Sequence, residues 1–432
     1  MIQIDSDSSI GEAPYPMGIS FEDVKRAAER VTPHIIPTPL LKSDFLQQRL
    51  GHKAPVFLKA EIFQHTGSFK VRGAANKILA LREQNKKPSR VVASSLGNHA
   101  QAVAYMARRF EIPATIVMPE TAPLVKVEST RALGAEVVLH GTVLDEAYSK
   151  AQELTEAEEG AIFIHPYADP DVVAGQGVLG LEIADALKQY GIEDNFQTLI
   201  PLGGGGLFCG VATALKSGRS NVDCYGVVSA ASPAMAMSFS EKKIVPFRGR
   251  TQSLADGLSV KTVHPKNFEM LMNLATDVQS IEDDEISQAI ALMMEKSKIV
   301  LEGAGAAAVG AFLEELFPLD KNKPVVLVLC GGNINMQLAA NIVERGLTRL
   351  GRWQYLAITI EDKPGELGRI SSIIGGLRAN VRDVHHDRLD GASRVGQALL
   401  KIKIECRNRA HAEEIKSALE EAQYPVRVLK GS

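Results

Sequence analysis

Cysteine is scarce in this chain: four among 432 residues, at positions 209, 224, 330 and 406, with no two spaced as a CxxC pair. A disulfide scaffold needs denser and closer cysteines, so the thiols are read as reduced. An excess of one charge is missing as well. The 48 Lys and Arg against 51 Asp and Glu leave a formal net charge of −3, and no basic run is clustered. Nothing electrostatic therefore points to a nucleic acid or an anionic membrane as partner. No apolar stretch reaches about 18 residues without a charge, which excludes a membrane-spanning helix from the expectation. The opening MIQIDSDSSIGEAPYPMG has neither a basic n-region nor an apolar h-region. It does not read as a secretory signal, and a cytoplasmic location is expected. Hydrophobic residues at 45% and charged residues at 23% are those of an ordinary globular protein. Glycine, at 36, is what the chain has in excess, and it is bunched into short loops that point to a ligand site.

Residues 1–20 read as a tail, and Ser20 with Asp23 marks the start of a helix over FEDVKRAAERV. A Pro-rich turn, IIPTPL, follows. From about 55 to 345, β-branched runs of strand length (VFLKA, RVVASS, ATIVM, AEVVLH, TLIPL, CYGVV, VVLVLC) alternate with amphipathic stretches such as HAQAVAYMARRF. Runs that are apolar throughout suit strands covered on both faces, and the alternation predicts a parallel α/β sheet. The length favours two lobes: a catalytic domain over 21–349, with a small lobe of roughly 60–165 inserted. A linker is expected at 350–352, and residues 353–432 read as β-α-β-β-α-β, the ferredoxin-like unit.

Four loops follow strand-like runs, where open α/β sheets bind ligands. In Phe63-Gln-His-Thr-Gly-Ser-Phe-Lys70-Val-Arg-Gly73, Lys70 stands at a helix start among apolar and small residues. Such a desolvated lysine becomes an amine nucleophile, whereas most lysines are merely solvated. In Ser94-Ser-Leu-Gly-Asn-His-Ala-Gln101, Ser95, Asn98, His99 and Gln101 exceed what an N-cap requires and suggest a carboxylate seat. Gly203, Gly204, Gly205 and Gly206 can form a phosphate nest after TLIPL, or a plain flexible turn. Neither GxGxxG nor GK[ST] fits there, so dinucleotide and P-loop readings fail. The last pair is Glu302-Gly-Ala-Gly-Ala306 with Cys330-Gly-Gly-Asn-Ile-Asn335.

A single-phosphate seat, a reactive lysine and a carboxylate seat together describe pyridoxal 5'-phosphate joined to an amino acid. On these motifs the chain resembles the fold type II pyridoxal-phosphate enzymes, and among them the threonine dehydratases that carry a C-terminal ACT domain. DKPGELGRI and NVRDVHHDR are similar to the ACT signature stretches. The resemblance implies that Lys70 carries the cofactor and removes the Cα proton. The cofactor set is completed by Phe69, Asn98 on the ring 3-oxygen, Gly203–Gly206 on the phosphate, Leu207, Glu302, and Cys330 beside the pyridine nitrogen. Ser95, Asn98 and His99 would border the substrate carboxylate. The implied reaction is β-elimination of L-threonine to 2-oxobutanoate and ammonia, with L-serine slower. L-Serine dehydratase and a catalytically silent amino-acid sensor are the alternatives. Leu96 stands where racemising relatives have a proton-carrying Ser, so racemisation should be negligible. Gly226-Val-Val-Ser-Ala-Ala offers no carboxylate, so no metal is expected there. In the ACT domain, Asp362, Lys363, Pro364, Gly365, Glu366, Asn380 and Val381 are the implied seat for isoleucine or valine. A homodimer or homotetramer is implied.

Overall fold

The computed structural model describes residues 18–249, 251–388 and 394–429; residues 1–17 of the tail expected over 1–20, and the end of the predicted strand at Leu389, lie outside them. The chain forms two compact units that divide after Ile334. The first begins as its sequence demands. Ser20 Oγ accepts the Asp23 N–H and the Asp23 carboxylate accepts the Ser20 N–H at 2.8 Å, a capping box that starts the helix Phe21–Val31.

The large lobe is built on six strands in the order Leu40–Lys42, Val56–Ala60, Val325–Leu329, Phe196–Pro201, Val222–Ser229, Asp277–Ile281. All neighbours run parallel except the first pair. The strands Val56–Ala60, Val325–Leu329 and Phe196–Pro201 are buried along their whole length, which is why their sequences do not alternate. The small lobe carries a second, all-parallel sheet in the order Glu136–Leu139, Ala114–Met118, Arg90–Ser94, Ala161–Phe163. Three strands have no counterpart in the sequence reading: Leu40–Lys42, Ala161–Phe163 and Asp277–Ile281. Each lies at a sheet edge, where one flank is unpaired and a strand needs no long apolar run.

A buried ionic cluster fixes the start of the helix Lys70–Glu83. Arg72, fully enclosed, donates to Glu61 at 2.7 Å and to Glu182 at 2.6 Å; Lys59 Nζ reaches the second Glu182 oxygen at 2.6 Å. The cluster ties that helix to the strand Val56–Ala60 and the helix Pro170–Lys188. Pairing of this kind is what makes the three buried charges of Lys59, Glu61 and Arg72 tolerable, Glu182 being half-buried.

The second unit opens with the helix Met336–Arg349 and continues as an antiparallel sheet in the order Asn380–Asp387, Gln397–Glu405, Trp353–Glu361, Val426–Leu429, with helices Glu366–Gly376 and Arg409–Glu421 between its strands. That is the β-α-β-β-α-β order read from the sequence. Its core is its own, built on Leu356, Ile358, Ile370, Ile374, Leu400, Ile402, Ile404, Ile415 and Leu419. The linker was expected at 350–352, while the helix Met336–Arg349 falls within this unit. Glu344 of that helix accepts from Tyr355 and Lys403, and the Lys403 ammonium lies 3.9 Å from the Trp353 ring centroid.

Candidate active site

Two of the four chemistry-bearing loops, that of Lys70 and that of Cys330, are pinned to one another by backbone. Ser68 bridges Gly331, the Phe69 N–H donates to the Cys330 carbonyl at 3.1 Å, and the Gly332 N–H donates to the Gly67 carbonyl at 3.0 Å. These bonds set Lys70, the first residue of its helix, beside Cys330 at the end of the strand Val325–Leu329. The Lys70 amine is enclosed and donates to the Pro166 carbonyl at 2.8 Å. Burial is the largest cause and lowers its pKa to about 8. The Cys330 thiol is pushed well above its ordinary value, first by burial and then by Glu302, so it stays neutral.

Glu302 precedes the helix Gly303–Leu313 and accepts from Asn98 Nδ2 at 2.6 Å. Burial raises its pKa to about 7. Asn98 opens the helix Asn98–Arg109, whose N-cap is Gly97 and which no side chain caps. The first-turn N–H groups of such a helix are free to meet an anion. Ser95 Oγ accepts the Gly97 N–H at 3.2 Å. The His99 side chain is turned away to the Ile164 carbonyl at 2.8 Å, and burial drops its pKa to about 3. With Nε2–H spent on that carbonyl, what His99 can offer a carboxylate is its backbone N–H.

The glycine loop presents a second uncapped N-terminus, that of the helix Gly206–Lys216. Gly205 takes φ +92°, in the left-handed region that favours glycine. At Gly203 the constraint is space: a Cβ there would lie 2.9 Å from the Gly257 carbonyl oxygen. Asn267 and His165, which the sequence reading did not find, shape this loop and its neighbour. Asn267, buried, donates from Nδ2 to the carbonyls of Gly204 at 2.6 Å and Tyr167 at 2.9 Å. His165 Nδ1 accepts the N–H groups of Tyr167 and Ala168, and so fixes the turn whose Pro166 carbonyl holds Lys70. Neither carried a signal in the sequence: the short edge strand before His165 left no pattern, and Asn267 sits inside a helix.

The residues fit a pyridoxal phosphate group. A primary amine is enclosed, an uncapped helix N-terminus begins at the last of four glycines, and Ser68 Oγ and His99 Nδ1 are buried polar atoms with no partner. Among the described residues no cluster of three or more His, Cys, Asp or Glu is placed to hold a metal ion.

Comparison with known proteins agrees. Residues 31–331 match the family described as pyridoxal-phosphate dependent enzyme. The chain belongs to the pyridoxal-phosphate dependent enzymes. An L-threonine ammonia-lyase of Thermotoga maritima is 39% identical over 411 residues, covering 95% of this chain and 100% of the relative. The crystal structure of a T.th. threonine deaminase superposes with TM-score 0.68 at 36% identity, covering 73% of this chain and 99% of that one. Maize serine racemase, a further similar structure, gives TM-score 0.69 at 28% identity, covering 77% and 99%. The pyridoxal-phosphate enzyme fold thus accounts for the first unit, and Lys70, Asn98, Cys330 and Glu302 converge inside it.

In the second unit, Gly365 (φ +97°) precedes the uncapped helix Glu366–Gly376, which helps line a cavity of about 570 Å³ with Arg369, Ser372, Ile373 and Tyr424. Asp362 receives Arg388 at 3.0 Å, Lys363 pairs with Glu361 at 2.5 Å, and Glu366 accepts from Tyr424 at 2.7 Å. Asn380 and Val381 begin the edge strand Asn380–Asp387.

Proposed function

We propose that the chain is a threonine ammonia-lyase, converting L-threonine to 2-oxobutanoate and ammonia by β-elimination, with L-serine to pyruvate as the slower reaction. The observation that carries this is the enclosed Lys70 amine beside a neutral thiol, in a chain 39% identical over nearly its whole length to an L-threonine ammonia-lyase. Pyridoxal 5'-phosphate, when bound, supplies an electron sink for the charge that develops at Cα. The Gly203–Gly206 segment and the helix behind it would hold its phosphate, with Phe69 and Leu207 alongside. Lys70 takes the Cα proton, since an amine of pKa about 8 has roughly a tenth of its population unprotonated at pH 7, far more than an ordinary lysine. The open N-terminus at Asn98–His99, with Ser95, holds the substrate carboxylate, and Asn98 serves the ring 3-oxygen. Cys330 offers the ring nitrogen a neutral partner, which favours loss of the β-hydroxyl over return of the proton to Cα. Leu96 carries no proton, so racemisation is negligible.

The second unit is proposed as an ACT domain that seats isoleucine, or valine as antagonist, near Asp362–Glu366 and Asn380–Val381 within a homodimer or homotetramer. Purified protein with pyridoxal phosphate should turn yellow, hold the colour covalently after borohydride reduction, and release ammonia from L-threonine. Colour without ammonia from threonine or serine rejects the lyase and favours a sensor; ammonia from serine alone makes it a serine dehydratase. Initial rates with added isoleucine test the regulatory half.

A further inference from the structure

Asn98 has an orientation problem that its neighbours must solve. An Asn side chain accepts at Oδ1 and donates only at Nδ2, and the two ends exchange by a half-turn. In this chain Nδ2 faces Glu302 Oε1 at 2.6 Å and Oδ1 faces Asn333 Nδ2 at 2.8 Å. Glu302 alone cannot choose between the two arrangements. Its pKa is raised to about 7, first by burial and then by Asp256, against Asn98, Lys126 and Lys70, with the Cys330 thiol also beside it. A carboxylate requires the donor end of Asn98; a carboxylic acid can serve the acceptor end.

Asn333 has no such freedom. Its Nδ2 also donates to the Thr66 carbonyl at 2.7 Å, an atom that only accepts, and lies 3.5 Å from Gln101 Oε1. Its Oδ1 lies over Gly67, where any Cβ would collide with it. Thr66 is held at φ +59°, in the loop leading to Lys70. The Asn333 amide is therefore pinned from the lysine loop and can present only a donor to Asn98.

We infer that Asn333 is a positioning residue: it fixes the Asn98 amide with its NH2 end toward Glu302, so that Asn98 remains a donor to the cofactor ring whatever the charge on Glu302. This rests on the role proposed above for Asn98. Without Asn333, the Asn98 amide follows the protonation of Glu302, and the bound cofactor senses that titration.

The test is the visible absorption of the reconstituted enzyme, followed from about pH 6 to about pH 8 across the Glu302 pKa of about 7. The parent band should hold its position and intensity over that range. Asn333→Ala should show a band that shifts with a midpoint near 7, and should lose kcat/KM roughly tenfold. Asn333→Leu, which keeps the size and offers neither donor nor acceptor, should do the same. In an Asn98→Ala background, adding Asn333→Ala should change neither band nor rate further, because the residue acts through Asn98. A pH-independent band in both Asn333 variants overturns the inference, as does a loss that persists undiminished in the Asn98→Ala background. A parent protein that takes up no cofactor overturns the proposed function along with it, and is recognised because no variant is needed to see it.

Discussion

A lysine at its ordinary pKa of about 10.4 is cationic at pH 7 and is no nucleophile. Lys70 escapes by enclosure, which favours the uncharged amine and brings its pKa to about 8. Capture of pyridoxal phosphate by the apoprotein needs that uncharged amine. Its rate should rise as pH rises through about 8 and level off above, whereas an exposed lysine would keep accelerating past about 10; stopped-flow absorbance reads this directly. Lys70→Ala should abolish the covalent colour and lower deamination about 10³-fold. Cys330 was legible as a strand-end thiol facing a cleft. Its neutrality was not, because that depends on burial and on Glu302, a residue 28 positions away in sequence.

Among the elements, the two uncapped helix N-termini are where local sequence and packing meet. Gly205 needs its left-handed backbone, and a side chain there would also press on Asn267 at 2.9 Å. Gly205→Ala should therefore weaken pyridoxal phosphate binding by about tenfold, at a cost of about 1–2 kcal/mol, measured by cofactor titration. The cluster at the start of the Lys70 helix is the second lever. Burial alone would raise the Glu61 pKa, but Arg72 outweighs it and holds the carboxyl below its ordinary value. Its stabilisation is present above the unfolded pKa of roughly 4.3 and is lost as pH falls through the lower folded value. Arg72→Met strands the buried Glu61 carboxylate, while Glu182 keeps Lys59, and should cost about 3–5 kcal/mol in urea unfolding. The position of Lys70 on its helix was readable from Thr-Gly-Ser-Phe-Lys; the partners of Arg72, Glu61 and Glu182, were not.

Taken whole, the chain has two cores with different periodicities: parallel strands buried on both faces before Ile334, and an antiparallel sheet after it. Two ligands should accordingly mark two places. In hydrogen exchange, pyridoxal phosphate should protect the Gly203–Gly206 segment and the loop before Lys70. Isoleucine should protect the start of the helix Glu366–Gly376. Protection by isoleucine confined to the glycine loop would remove the regulatory proposal.

Apolar runs, turn glycines and helix caps are local, so one chain read in order could give the fold class, the family and the four loops. The edge strands Leu40–Lys42, Ala161–Phe163 and Asp277–Ile281 were missed because they bury too little to leave a pattern. The hydrogen bonds of Asn267, His165 and Asn333 were missed for a different reason. A polar side chain carries no mark of its partner: the partners of Asn333 lie more than 200 residues back and those of Asn267 63 and 100 residues back, while His165 turns back on the backbone just after it. Convergence across the chain gives Asn98 its orientation, Glu302 its shifted pKa and Lys70 its enclosure, and no stretch of sequence contains it.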